Sequence, residues 1–295
     1  MNTAARFAEI DRLKSRLDSL RPLPEHTVRT LHEQQVLEWT YHSNAIEGNT
    51  LTLKETKVVL EGITIGGKPL REHFEVINHK EAIDYVEAIV KNQETLSEWQ
   101  IKSIHHLVLK NIDDRNAGQY RKENVVIAGA EHLPPNYIQV PEAMAGLVDW
   151  YRQVTGLNFP SASAPCFALP PASLQSSPQP SPVGEGALLM HAVECAARLH
   201  VDFVDIHPFV DGNGRTSRLL MNFELMRQGL LPVIIPVENR LAYYDALDTA
   251  HTRGDYSLFI ELVASLEQAT LERYLRIVEG SVPSPSVPTG HKGKG

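Results

Sequence analysis

Residues 207–218 read HPFVDGNGRTSR. A histidine, an aspartate, an asparagine, two glycines and two arginines fall within twelve positions, a mixture for which an ordinary core segment has no use. What flanks the stretch decides the fold. Upstream, Leu188, Ala192, Cys195, Ala196, Leu199 and Phe203 recur at helical spacing along one face. Downstream, Leu219, Leu220, Phe223 and Met226 form a second stripe, and Gly229 is placed to cap its end. The motif therefore sits in the turn between two buried helices, the second expected to open near Thr216.

The same period runs through most of the chain. Phe7, Ile10, Leu13, Leu17 and Leu20 make an N-terminal helix closed by Pro22 and Pro24. Residues 27–46 make a second, stopped by Gly48. Thr52 and Glu55 form a T-x-x-E capping box opening a helix to about Leu60, and Ser97 with Gln100 opens another ahead of Ile101, Ile104 and Val108. LREHFEVINHKEAIDYVEAIV, residues 70–90, reads as one long helix after Pro69. Residues 120–140 break the pattern with a β-branched run, a glycine and Pro134–Pro135, which predicts a short two-stranded hairpin. Helix resumes over 141–154. The expected class is all-α with one short β-hairpin flap.

The expected organisation is an N-terminal helix over 1–26, a helical part over 27–95, and a main domain over 96–275. A Pro/Ser-rich stretch, 156–186, reads as a surface insertion in that domain, and 276–295 as a disordered tail.

Bulk composition narrows the function. With 295 residues, 42% hydrophobic and 22% charged, the chain has the composition of a soluble globular protein. A net charge of -8 disfavours nucleic-acid binding. The two cysteines, Cys166 and Cys195, show no zinc spacing and no disulfide framework. No apolar run approaches the roughly 20 residues of a membrane span, and the N-terminus lacks a signal sequence's apolar core. The expectation is a cytoplasmic protein with no membrane partner.

The turn itself suggests chemistry. A helix N-terminus carries free N–H groups and partial positive charge. Gly212 and Gly214 let the backbone aim several N–H groups at one anion, and Arg215 and Arg218 add charge: a phosphate cradle. Asp211 beside it would repel phosphate unless a Mg²⁺ ion bridged the two. His207 adds a group that exchanges protons near neutral pH. Singly, each residue has a plainer reading as a structural histidine, a turn or a solvated face. Together, in this order, they point to attack of a hydroxyl on a nucleotide phosphate.

At this point the chain resembles the Fic (filamentation induced by cAMP) family. Its signature, HxFx(D/E)GNGRxxR, is matched by His207 through Arg218 at every specified position. SNAIEGN, residues 43–49, matches the family's inhibitory (S/T)xxxE(G/N) helix, and the likeness spans most of 27–270. IEGNTLTL and IHPFVDGNGRTSRLLMN are similar to the animal, BiP-modifying branch, though location and target do not carry over.

The resemblance implies transfer of AMP from ATP to a Ser, Thr or Tyr hydroxyl of a target protein. It makes His207 the general base and Asp211 the ligand of Mg²⁺ or Mn²⁺. Gly212, Asn213 and Gly214 become the anion nest, with Arg215 on the β-phosphate and Arg218 on the γ-phosphate. Tyr243 and Tyr244 match a pair near the adenine, whereas His251 replaces an asparagine. The hairpin, with Val126, Ile127, Ala128 and Gly129, corresponds to the flap that pairs with the target backbone. Glu47 would form a salt bridge to Arg218 that holds the enzyme off, and the same glutamate would support removal of AMP. By analogy the chain is expected to be capable of forming a homodimer. Two other readings stay open: a relative using UMP or phosphocholine, and a nucleotide-sensing regulator without turnover. Gly214 argues against the phosphate-transferring branch, which has lysine there.

Overall fold

The computed structural model describes residues 2–127, 132–156 and 190–281. Among these, ten α-helices run α1 (Thr3–Ser19), α2 (Glu25–Ile46), α3 (Leu53–Leu60), α4 (Leu70–Lys91), α5 (Glu98–Leu109), α6 (Val140–Thr155), α7 (Ala192–Ile206), α8 (Asn213–Arg227), α9 (Arg240–Arg253) and α10 (Ser257–Ser281). The Thr52–Glu55 capping box forms with both of its reciprocal bonds. Ser97 caps α5 by accepting from the Trp99 N–H at 3.2 Å.

The centre is the pair α7 and α8, around which the others gather. α8 is buried on every side: Leu219, Leu220, Met221, Phe223 and Leu225 are all fully buried, and so are Asn222 and Glu224. A helix buried all round must satisfy its polar side chains internally. Asn222 does so by pairing with both backbone groups of Val233, at 2.8 and 2.9 Å. Glu224 does so with Arg227 at 2.8 Å and with the Tyr151 hydroxyl. One core lies on the side of α4, α5 and α6, with Phe203, Phe209 and Phe223 in it. The other lies toward α1, α9 and α10, with Ile10, Met221, Tyr243 and Phe259. Residues 43–49 span the last turn of α2 and the turn after it, and α2 leans on α4 and on the N-terminal end of α8.

Three expectations shift. Helix α8 opens at Asn213 rather than near Thr216, because Gly212, at φ +77°, takes the left-handed turn that starts it. The hairpin expected over 120–140 has no strand among its described residues. Pro134 and Pro135 supply no N–H for a ladder. Instead the Arg121 guanidinium collects the carbonyls of Glu123 and Pro135, and Tyr137–Gln139 form a 3₁₀ turn. Ala128 and Gly129 lie outside the described residues, as do Leu188, nearly all of the 156–186 insertion and residues 282–295. α10 continues to Ser281, six residues into the segment read as a tail.

One buried charge makes a testable stability statement. Glu267 of α10 is fully buried; one oxygen accepts the Leu231 N–H at 3.1 Å and the other has no partner. Burial pushes its carboxyl up to about 8. The folded chain must keep a proton that the unfolded chain releases, so stability contributed at low pH is lost as pH rises from 4.5 toward 8. Glu267→Gln removes that loss. Its stabilising effect in urea melts is expected to be about 3–4 kcal/mol larger at pH 8 than at pH 5. Parallel pH profiles for the two proteins would refute it.

Candidate active site

His207 ends α7 in the left-handed region, φ +47° and ψ 59°, with its N–H still bonded to the Phe203 carbonyl at 3.1 Å. Such a backbone is uncommon for a residue with a side chain and persists where surroundings hold it. Here Arg121 holds it: its Nε donates to the His207 carbonyl at 2.9 Å and its N–H to the Pro208 carbonyl at 2.9 Å. Burial lowers the His207 imidazole to about 4, and Arg121 pushes the same way; the Val204 carbonyl and Glu47 act against them. The ring is therefore a neutral, proton-accepting group at physiological pH. Its Nδ1 is buried, so it meets the adjoining cavity by the opposite side.

The loop 208–212 is rigid for identifiable reasons. Phe209 is fully buried and stacks on His105, with ring centroids 3.5 Å apart and an interplanar angle of 3°. The Gly118 N–H donates to His105 Nδ1 at 2.9 Å, which leaves Nε2 to donate to the Asp211 carbonyl at 2.9 Å. Burial keeps that ring neutral, lowered to about 4. Asn213 turns its amide inward, accepting the Phe209 N–H at 3.0 Å and donating to the Phe209 carbonyl at 2.8 Å. A Cβ at Gly212 would press on Val108 at 3.2 Å and the His105 ring at 3.4 Å, on top of the left-handed φ. Fixed in this way, the first N–H groups of α8 remain available to an anion.

The two arginines are buried and differently occupied. Arg215 lies 3.3 Å from Asp211 Oδ1 and 3.6 Å from Glu75 Oε1, while its Nε and Nη1 make no hydrogen bond. Asp211 also accepts the Gly212 N–H at 2.6 Å and Arg71 Nη2 at 2.7 Å. Burial opposes its ionisation, but Arg215, the Gly212 N–H and Arg71 outweigh that and hold its carboxyl below the usual range. Arg218 is fully engaged. Its Nε donates to Ser43 Oγ at 3.0 Å and its Nη1 to Tyr243 Oη at 3.3 Å. Its Nη2 donates to the Ser43 carbonyl at 2.9 Å and to Glu47 Oε1 at 2.6 Å, across 171 positions of sequence. Burial alone would lower the Arg218 pKa; Glu47 and Tyr243 reverse that and raise it.

A cavity of about 330 Å³ is bounded by Glu47, Ile127, Val204, His207, Gly214, Arg240, Tyr244, Leu247, Asp248 and His251. Residues 43–49 and the 207–218 loop thus face the same space. A Cβ at Gly214 would collide with Glu47 Oε1 and crowd Arg218 Nη1 at 3.0 Å, so Glu47 packs where only glycine leaves room. The two tyrosines part company. Tyr244 lines the cavity, whereas Tyr243 is buried behind it, between Arg218 and His200 Nε2 at 3.2 Å. Ile127 reaches the cavity wall, while Val126 is exposed and does not line it.

A model of the Fic/DOC family matches residues 95–225. Protein adenylyltransferase Fic of Nematostella vectensis is 33% identical over 270 residues, 90% of this chain and 55% of that protein. Protein adenylyltransferase fic-1 of Caenorhabditis elegans is 34% identical over 257 residues, 86% and 44% respectively. The solved structure of a Fic-1 fragment from C. elegans overlays with a TM-score of 0.76 at 30% identity, over 95% of this chain and 74% of that one. This chain belongs to the Fic/DOC family. A Fic domain containing signaling protein from Bacteroides thetaiotaomicron overlays at 0.75 with 27% identity, over 95% of this chain and all of that one. The chain spans about half the length of the curated relatives it matches.

Within the Fic motif, residues that sequence reading passed over prove structural partners. Arg71, Glu75, His105 and Arg121 contact the loop from 86 to 140 positions away. Arg71 and Glu75 look in sequence like an ordinary i,i+4 surface pair on a helix. His105 looks like any histidine on an apolar face. Nothing local distinguishes them. Among the described residues no helix is long and apolar enough to cross a membrane.

Proposed function

We propose that this chain is a protein adenylyltransferase, moving AMP from ATP to a Ser, Thr or Tyr hydroxyl of a target protein, and that Glu47 holds it in an inhibited state. The observation that carries the reading is the meeting of His207, Gly214 and Glu47 on one cavity, with Arg218 bound to Glu47 beside it. Its volume lies in the range of small-molecule sites. The adenylyltransferase names of the relatives support AMP as the group transferred.

In the reaction, the target hydroxyl oxygen attacks the α-phosphorus of ATP and its proton passes to His207. The bond from the α-phosphorus to the bridging oxygen breaks and pyrophosphate leaves. The α8 N-terminus, Arg215 and Arg218 stabilise negative charge on the phosphates in a low-dielectric site. Asn213 acts by fixing the loop. Tyr244 borders the space for the base, and Tyr243 steadies Arg218.

The donor set fits a divalent ion that arrives with nucleotide. Asp211 offers one partly exposed carboxylate, and the described residues hold no cluster of three or more His, Cys, Asp or Glu. Mg²⁺ characteristically takes one or two carboxylates plus substrate phosphates and water. Bound there, it would neutralise charge on the phosphate chain. Removal of AMP from modified protein, with Glu47 orienting a water, is the second activity proposed for the same site.

Purified chain carrying Glu47→Gly, incubated in lysate with α-labelled ATP, is expected to label protein. Parallel incubations carry UTP and CDP-choline. Label from UTP or CDP-choline alone would overturn AMP as the group. Nucleotide binding without transfer from any donor would favour a regulator instead.

A further inference from the structure

Asp211, the carboxylate of the motif, already has a cationic partner in this fold. Arg71 of α4 places Nη2 at 2.7 Å from Asp211 Oδ2, joining residues 140 positions apart. Arg71 is itself oriented: its Nε donates to Glu75 Oε1 at 3.1 Å, one turn along α4. Glu75 is in turn fixed by Asn49, whose Nδ2 donates to Oε2 at 2.9 Å. Asn49 closes the SNAIEGN segment, so that segment reaches the motif at two points: Glu47 bonds Arg218, and Asn49 connects through Glu75 and Arg71 to Asp211. Two carboxylates and two guanidiniums therefore alternate around Asp211, Arg71, Glu75 and Arg215.

The Arg71 side chain is 57% exposed and that of Asp211 44%. Their attraction is screened by water, so the pair opens at little cost. Arg215 differs: at 3% exposed it is built into the wall.

We propose that Arg71 is a positioning residue that stands in for the divalent cation at Asp211, holding the carboxylate charge-balanced and oriented until the cation displaces it. The proposal rests on the reading of this cavity as an ATP site. Without cation or Arg71, Asp211 keeps the Arg215 contact at Oδ1 but leaves Oδ2 with no cationic partner beside a polyphosphate, and like charges at contact range repel strongly. With Arg71 in place, nucleotide meets a neutralised wall. When a cation takes Asp211, Arg71 keeps Glu75 as its partner and no charge is stranded.

The test is ATP affinity, measured by calorimetry on the full chain in EDTA and again in saturating Mg²⁺. Arg71→Ala is expected to raise the ratio of the two dissociation constants by roughly threefold to tenfold, nearly all from weaker binding in EDTA. Arg71→Lys is expected to restore most of the EDTA affinity. In an Asp211→Asn chain the Arg71→Ala effect should vanish, which a merely structural role would not produce. Arg71→Gln serves if the alanine variant does not fold, as judged by its melting curve. An unchanged ratio overturns the proposal, and so does an equal loss in EDTA and Mg²⁺, which would make Arg71 a phosphate contact. If neither wild type nor Glu47→Gly binds ATP under either condition, the nucleotide reading fails and takes this proposal with it.

Discussion

Replacing His207 with alanine in a chain that also carries Glu47→Gly is expected to lower AMP transfer by about 10²–10⁴-fold, the usual contribution of a positioned general base. The attacking hydroxyl is a poor nucleophile with its proton on. His207 is poised to take that proton because burial keeps the ring neutral, with its pKa lowered to about 4. A pH series separates this role from a structural one. Protonation removes the base, so kcat/KM for the free enzyme falls only as pH drops toward about 4. An ordinary histidine would lose half its effect near 6.5. Glu47 is one of the groups raising this pKa, so its removal shifts the acid limb further down. Transfer within fivefold of the parent, with an unaltered melting curve, would rule out His207 as the base. An acid limb centred at 6.5 would refute its burial-lowered pKa.

The second large effect is Glu47→Gly alone, expected to raise transfer by roughly 10–100-fold. Every nitrogen of the Arg218 guanidinium already donates. Ser43 takes two of its contacts, Tyr243 a third, and the 2.6 Å bond to Glu47 is the fourth and shortest. A charge-assisted bond of this kind contributes about 1.5–3 kcal/mol, which sets the size of the gain when a γ-phosphate no longer competes with it. The same contact offsets the burial of Arg218. The variant is therefore expected to melt earlier without nucleotide and to be stabilised more by ATP than wild type, since phosphate replaces the lost carboxylate. Glu47→Gln should fall between the two, keeping shape without charge. Unchanged transfer in the glycine variant, with ATP still bound, would remove Glu47 from the inhibitory role.

Much of this was legible before any coordinates. The helix-period stripes placed α1 through α8 to within a few residues, because buried positions on a helix must repeat at helical spacing. The capping box at Thr52 was legible because both partners lie three residues apart. Errors arose where distant side chains decide local backbone. Among the described residues of the expected hairpin, Arg121 binds the Glu123 and Pro135 carbonyls and no strand forms. Tyr243, adjacent in sequence to a cavity residue, turned inward because successive helical residues point about 100° apart and only one can face the space.

By itself the sequence determined the helical class, the family and the order of groups in the 207–218 loop, since these depend on spacing within a few turns. Tertiary structure decided which charges meet. Glu47 reaches Arg218, Arg71 reaches Asp211, and His105 and Arg121 clamp the loop only when α2, α4, α5 and the 110–127 segment pack around α7 and α8. Such pairings span up to 171 positions and leave no periodic trace, because a salt bridge depends on the distance between two side chains in the folded chain and not on their separation along it.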